Sequence, residues 1–301
     1  MIKNSADILE AFVRHNLRFL DGLFIIDNNS SDDTRSILDA LIAEGLPVRC
    51  YDDPEFAYYQ SARMTKFCDF VNELSAPDFI IPIDDDEFVK CDSRSVLEDA
   101  LLSLHEDEYG ISPWQTYVPN ASVNPSGNPL VHITRRRRVE SPQYFKVWIP
   151  KALVLSDGFL IEQGNHSIAL GNGPPAAHRI LPRVAIAHFP VRAPSQIVSK
   201  AVLGWLSYLA RGDTHLHEYG YHWRTLYERL LKNEDVTWED ASEIALNYAR
   251  SDEMPRLTQS DCLEDPIEAD ALRYTPKALP TPFVSVVREF ERMISQQNHG
   301  A

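Results

Sequence analysis

The sequence predicts an α/β fold: a mostly parallel, Rossmann-like sheet flanked by helices, followed by a helical C-terminal region. Three observations predict it. Short apolar runs alternate with helical apolar stripes through the first hundred residues. Two of these runs, Gly22-Leu23-Phe24-Ile25-Ile26 and Phe79-Ile80-Ile81-Pro82-Ile83, end in acidic turns. In open sheets of this kind, ligands sit outside the carboxyl ends of the strands. After Pro194 the apolar spacing turns helical.

The elements follow in chain order. Ile8, Leu9, Phe12, Val13, Leu17 and Leu20 recur at helical spacing behind Asp7, so a helix comes first. Gly22 to Ile26 is a buried strand, closed by the turn-forming cluster Asp27-Asn28-Asn29-Ser30-Ser31-Asp32-Asp33-Thr34. A second helix runs from about Thr34 to Ala43 and stops at Gly45, before the short strand Pro47 to Tyr51. Tyr59 to Leu74 makes a third helix, and the strand Phe79 to Ile83 follows. Gly110 to Ser112, Val131 to Thr134 and Phe145 to Ile149 read as strands with more polar and aromatic alternation, an antiparallel addition to the sheet. Ile197, Val198, Ala201, Val202, Trp205, Leu206 and Leu209 form one helical stripe, and Trp223, Leu226, Tyr227, Leu230 and Leu231 another. A proline-rich link, Pro276 to Pro282, precedes a last helix through Val286, Val287, Phe290 and Met293. The expected organisation is one domain over 1–193 and a helical region over 194–301.

A chain of 301 residues with 44% hydrophobic content can bury a large core. Its net charge of −15 repels polyanions, which argues against nucleic acid or an anionic membrane as partner. The run Arg135-Arg136-Arg137-Arg138 is the local exception; it reads as a solvated strand or turn, with a phosphate contact as the alternative. Cys50, Cys68, Cys91 and Cys262 are scattered without paired spacing and predict reduced thiols in a cytoplasmic protein. No apolar stretch reaches the roughly 18 residues that span a bilayer, and no signal-peptide pattern opens the chain, so export is not expected.

The segment Pro82-Ile83-Asp84-Asp85-Asp86-Glu87-Phe88 carries most of the chemistry. Four neighbouring carboxylates repel one another and are costly to desolvate, so a cation belongs there. On an extended backbone Asp84 and Asp86 face the same way, and hard oxygen ligands suit Mg²⁺ or Mn²⁺. A solvated acidic loop or helix cap is the alternative.

Several motifs in order extend this reading. Lys3-Asn4-x-x-Asp7, Ile26-Asp27-Asn28-x-Ser30-x-Asp32-x-Thr34, Pro82-Ile83-Asp84-x-Asp86-Glu87-Phe88 and His188-Phe189-Pro190-x-Arg192 with Gln196 and Lys200 resemble bacterial glycosyltransferases of the family 2 type, which have the GT-A fold. The resemblance spans roughly residues 1 to 200. It implies transfer of a sugar from a nucleotide-diphosphate donor, a UDP-sugar first among them, to a saccharide or glycolipid acceptor in surface polysaccharide synthesis. A D-x-D motif would hold Mn²⁺ or Mg²⁺ on the diphosphate.

Carried onto this sequence, the resemblance places Asp27, Asn28 and Asp32 at the nucleoside, together with Lys3 and Asn4. Asp84, Asp85 and Asp86 lie at the ribose and the metal, with Glu87 supporting them. His188 would complete the coordination, or else be a core histidine; His166 is the competing ligand or an acceptor-side contact. Arg192 and Lys200 would meet diphosphate oxygens, or else be exposed helix charges. Gln60 and Arg63, opening a helix, would also reach the nucleotide. An inverting transfer needs a carboxylate base, for which Glu162 is preferred to Asp157 because it shares a turn with His166; a retaining mechanism does not require it.

The sequence departs from the family at Ser5, where an acidic residue is usual, and in the first strand, reduced to Met1-Ile2. This leaves open either a start further upstream or a pocket edge that has been lost. The alternative function is a non-catalytic nucleotide-sugar-binding or scaffold subunit. The region after Pro194 is expected to form an acceptor wall or an oligomer contact. There Trp205, Tyr208, Tyr219, Tyr221 and Trp223 could stack on sugars or pack a core. The expected location is cytoplasmic, extending to the inner face of the membrane.

Overall fold

Strands and helices alternate through the first hundred residues as the apolar periodicity requires, but the strands do not join one parallel sheet: the first two pair only with each other and the larger sheet is mixed. The computed structural model describes residues 1–57, 59–120, 127–171, 175–210, 221–251, 253–276 and 281–299. The chain begins α1 (Leu9–Asn16), β1 (Leu23–Asp27), α2 (Thr34–Ala43), β2 (Val48–Asp52), α3 (Gln60–Ser75), β3 (Phe79–Ile80), β4 (Glu87–Lys90) and α4 (Arg94–Leu102). It continues β5 (Glu108–Val118), the single turn α5 (Pro129–His132), β6 (Arg135–Arg137), β7 (Phe145–Pro150), the short α6 (Lys151–Val154), β8 (Phe159–Ile161), β9 (Ile168–Leu170), β10 (Ala177–Ile180) and β11 (Ala185–His188). The remaining elements are α7 (Pro194–Leu209), α8 (Tyr221–Leu231), α9 (Trp238–Leu246), β12 (Cys262–Glu264) and α10 (Pro282–His299).

The expected parallel ladder occurs where a helix crosses over: β1 pairs parallel with β2, from Leu23↔Val48 to Asp27↔Asp52, across α2. The short segment before Lys3 joins this edge, since Ile2 N donates to Ile26 O at 2.8 Å and Asn28 N to Ile2 O at 2.9 Å. The larger sheet corrects the expectation. Its spine, β5, pairs antiparallel with β6 and β7 and parallel with β10 and β11. Around it β4 pairs with β11, β3 with β7 and β12 with β6, all antiparallel. From β5 the chain first returns antiparallel through β6 and β7, and β10 and β11 come back parallel to β5 only after about sixty residues, β11 inserting between β5 and β4.

Val131 to Thr134, expected as a strand, instead begins inside α5. Asn128 caps that turn by accepting from Leu130 N at 3.0 Å, and Pro129 suits its first position. The arginine run is absorbed by the sheet edge: Arg136 pairs with Asp265 and buried Arg137 with Glu140, while Arg137 also donates to Ala245 O and Tyr248 O. The 194–301 region does not stand apart. Besides β12, its Ala241, Ala245 and Leu246 pack with Val118, Val191, Ile197 and Ala201 in one cluster. Of the proline-rich link, 277–280 lie outside the described residues, as does Tyr219.

Behind the acidic segment, Phe88 and Phe189 are fully buried with Tyr117. The Phe88 and Phe189 rings meet edge to face at 5.2 Å, and Tyr117 stacks on Phe189 at 4.4 Å. This packing locks β4 against β11 with His188 opposite Glu87. The two polar residues are therefore positioned by the aromatic residues that follow each of them.

Candidate functional site

The residues singled out at the ends of β1, β4 and β11 converge on a cavity of about 550 Å³, within the usual range for a small-molecule site. Lys3, Asn4, Asn28, Asp32, Gln60, Asp84, Asp85, Asp86, His166, His188, Arg192 and Lys200 all line it. Asp27, Arg63, Glu162 and Asp157 do not.

At the nucleoside turn, Asp27 Oδ1 accepts from Ser30 N at 3.0 Å and Ser30 Oγ at 2.6 Å, so this carboxylate organises the turn instead of facing the cavity. Asn28 donates to Asp53 O and Glu55 O at 3.1 and 2.6 Å, holding the following loop. Asn4, in the left-handed region at φ 53°, accepts from Ser31 N at 2.7 Å, and Asp32 accepts from Ala6 N and Thr34 N at 3.2 and 2.9 Å. Burial pushes the Asp32 carboxyl up. Lys3 Nζ donates to Asn28 O at 2.9 Å and meets Glu289 of α10 at 3.2 Å. Arg63 turns away to Asp53, at 3.0 Å. Gln60 Nε2 donates to Asp84 Oδ1 at 3.3 Å, and its Oε1 accepts from Gln163 Nε2 at 2.9 Å.

The acidic segment is a turn, not an extended run. Pro82 has no N–H for a ladder, β3 stops at Ile80 and β4 starts at Glu87. Between them Glu87 N donates to Asp84 O at 3.1 Å, and Asp84 N to Glu87 Oε2 at 2.9 Å. Asp84 and Asp86 reach the same cavity across this turn and not by strand alternation.

The chain itself supplies cations to these carboxylates. Lys146, fully buried on β7, places Nζ 2.8 Å from Asp84 Oδ2, 3.1 Å from Glu87 Oε2 and 2.8 Å from Gly164 O. Lys200 donates to Asp86 Oδ2 at 2.6 Å. Arg192 Nη2 donates to Asp7 Oδ1 at 2.9 Å and its Nη1 to Phe189 O at 3.1 Å, leaving it 3.9 Å from Asp86 Oδ2. Asp85 accepts from Ser5 Oγ. Burial raises all four carboxyls, but Lys200 and Arg192 overcome it at Asp86 and Lys146 at Asp84, holding both below the usual range. Glu87 is pushed up to about 8 by burial, and Asp85 to about 6 by burial and the neighbouring Asp86.

Among the described residues, no group of three or more His, Cys, Asp or Glu is arranged to hold a metal ion. Asp84 is committed to Lys146 and Gln60. His166 Nδ1 faces Phe145 O at 2.8 Å, so it carries the proton. Gly164 makes room for this ring: a Cβ there would lie 2.6 Å from His166 Cδ2, and its φ is +79°. Asp86 and His188 form one pair of donors within reach of each other. His188 Nε2 lies 3.8 Å from Asp86 Oδ1, too long for a hydrogen bond, and the buried Nδ1 has no hydrogen-bond partner among the described residues. Two ligands on one small divalent ion, each at about 2.1 Å, lie roughly 3 to 4 Å apart, so these atoms fit two positions of such an ion. Burial pushes His188 down to about 3 and His166 to about 4, leaving both neutral.

An aromatic wall faces the carboxylates. Trp114 stacks on His188 at 4.1 Å and 25°, because Ile186 pairs with Trp114 and brings His188 diagonally onto its ring. Tyr144 and His166 meet Trp114 from other sides, at 5.4 and 4.8 Å, and Tyr248 meets His188 at 5.4 Å. Tyr208 and Trp223 line the α7 side, while Trp205 stacks on Tyr208 at 5.9 Å.

The two expected bases lie elsewhere: Asp157 is exposed in the turn before β8, and exposed Glu162 accepts from Ser167 Oγ. Sharing a turn with His166 does not bring Glu162 inside: Gln163, Gly164 and His166 of that loop line the cavity, while the Glu162 side chain is exposed. Lys146 and Trp114 escaped the sequence reading. A lysine inside the apolar run Phe145 to Ile149 was the available signal for the first; nothing marked the second.

Neither a protein-family model nor a curated protein matches the chain.

Proposed function

We propose that this chain is a nucleotide-sugar-dependent glycosyltransferase of the GT-A, family 2 type, acting on a saccharide or glycolipid acceptor. One observation carries the reading: four motifs separate in sequence, around Lys3, Asn28, Asp84 to Asp86, and His188 with Lys200, put residues into a single cavity. In this reading the Asn4, Asn28 and Asp32 side receives the nucleoside, Arg192 and Lys200 face the diphosphate, and the wall of Tyr144, His166 and Tyr248 faces the acceptor. Asp86 and His188 would hold Mg²⁺ or Mn²⁺ together with phosphate oxygens, since such ions are often bound through one or two protein ligands plus substrate. When bound, the ion spreads the charge that develops on the leaving diphosphate. Asp86 and His188 are pre-set for this by the Phe88 and Phe189 packing behind them. The neutral imidazole keeps a lone pair available at ordinary pH.

A non-catalytic nucleotide-sugar-binding subunit is the second reading. It is favoured by the exposed positions of Glu162 and Asp157, which leave the cavity without its expected base. Calorimetric titration with UDP, GDP, CDP and ADP, with and without Mn²⁺, tests the donor site. Mn²⁺-dependent hydrolysis of the matching nucleotide sugar then separates the readings: turnover supports the enzyme, and tight binding without turnover the subunit. A protein that binds none of these diphosphates overturns both. No helix among the described residues is long and apolar enough to cross a membrane.

A further inference from the structure

We infer that Lys200 is a placeholder cation: it pairs with the Asp86 carboxylate, yields it to the divalent ion that arrives with the donor, and turns to the diphosphate. This rests on the donor reading above. Asp86 is only 2% exposed, and a carboxylate buried that deeply cannot stay without a counter-charge. Three chain cations stand near it, and they are held differently. Lys146 is fully buried and committed to Asp84, Glu87 and Gly164 O. Arg192 is fixed by Asp7 and Phe189 O, and stays 3.9 Å from Asp86. Lys200 hydrogen-bonds Asp86 alone among the described residues, and its side chain is 31% exposed. It projects from the face of α7 that lines the cavity with Gln196, Leu203 and Ser207, on a flexible four-carbon stem.

Lys200 Nζ lies 2.6 Å from Asp86 Oδ2 and the oxygen facing His188 is Oδ1, so an ammonium and a divalent ion on the two oxygens of this one buried carboxylate repel each other strongly. In this proposal that repulsion drives Lys200 off Asp86 when metal enters alone and leaves its charge without an anion. A nucleoside diphosphate removes that cost, because its oxygens lie within the same cavity and accept the displaced ammonium. Metal and nucleotide then bind with positive coupling, each raising the affinity of the other by the same factor. Lys200 thereby becomes the element that suppresses metal loading without nucleotide.

The test is Mn²⁺ binding to the intact chain, read by calorimetry or electron paramagnetic resonance, first alone and then with UDP or whichever diphosphate of the panel above binds. In Lys200→Met, free Mn²⁺ should bind roughly tenfold or more tightly than in wild type, because its competitor is gone, while the enhancement by nucleotide should shrink. Lys200→Arg, which keeps the charge, should follow wild type. Melting curves establish that the variants are folded, and Lys200→Gln carries the same comparison should the methionine variant not melt cooperatively. Free Mn²⁺ affinity unchanged or weaker in Lys200→Met, with nucleotide binding still Mn²⁺-dependent in wild type, overturns the placeholder role and leaves the donor reading standing. Nucleotide binding indifferent to Mn²⁺ in every variant overturns the metal reading and this inference together.

Discussion

Lys146 Nζ sits 2.8 Å from Asp84 Oδ2 at the floor of the site, a full positive charge on a side chain with no exposed surface. It ties the turn of acidic residues to β7 and, through Gly164 O, to the loop that presents His166. A buried lysine survives as a cation only if its neighbours are anionic; burial works against its charge, but Asp84 and Glu87 prevail and raise its affinity for the proton.

Replacing Lys146 by Met should therefore destabilise the chain by about 3 to 5 kcal/mol, the usual cost of leaving a buried partner charge alone. Adding Asp84→Asn should recover part of that loss, because the carboxylate that Lys146 holds ionised is then neutral. Denaturant unfolding of the single and double variants measures both. Full additivity between them would show that the residues do not interact.

Asp86→Asn should abolish the dependence of nucleotide binding on Mn²⁺. The same change should lower the melting temperature, since it removes a buried ion pair with Lys200 at 2.6 Å. Simple relief of repulsion among four unpaired carboxylates predicts the opposite, a melting temperature unchanged or raised. Thermal unfolding without ligand decides which holds.

Asp27→Ala separates turn from ligand contact. Its carboxylate caps Ser30 and does not line the cavity. The variant should lose about 1 kcal/mol of stability, as for one hydrogen-bonded turn, and bind nucleoside diphosphate within about twofold of wild type. A drop of tenfold or more in calorimetry would restore the nucleoside contact that the motif resemblance implies.

The pH dependence follows from His166 and His188, whose folded values, about 4 and about 3, lie below the ordinary 6.5. Between these limits the unfolded chain binds more protons than the folded one. Their contribution is therefore complete above pH 6.5 and is lost as pH falls toward the folded values, by up to about 1.4 kcal/mol per pH unit for each ring. Glu87, raised to about 8, acts oppositely, so that stability declines as pH rises from its unfolded value of 4.5. Subtracting the unfolding profile of His166→Asn from that of wild type between pH 4 and 7 isolates one ring. A flat difference would mean that the ring is not buried as a neutral group.

What the sequence determined by itself was local. The periodicity behind Asp7, Thr34 and Gln60 placed α1, α2 and α3 to within a residue or two at most ends, because those stripes depend only on spacing along one chain. The turn chemistry of residues 27 to 34 and the acidic segment after Ile83 were legible for the same reason. Tertiary structure decided the rest. The insertion of β11 between β5 and β4 set Glu87 opposite His188 and brought Trp114 against the ring, pairings no local pattern encodes. The counter-ions of the acidic turn come from β7 and α7, some sixty and more than a hundred positions away. Sequence spacing limits what one element can present; only packing selects which distant charge meets a buried carboxylate, because that choice depends on the whole desolvated environment of both groups.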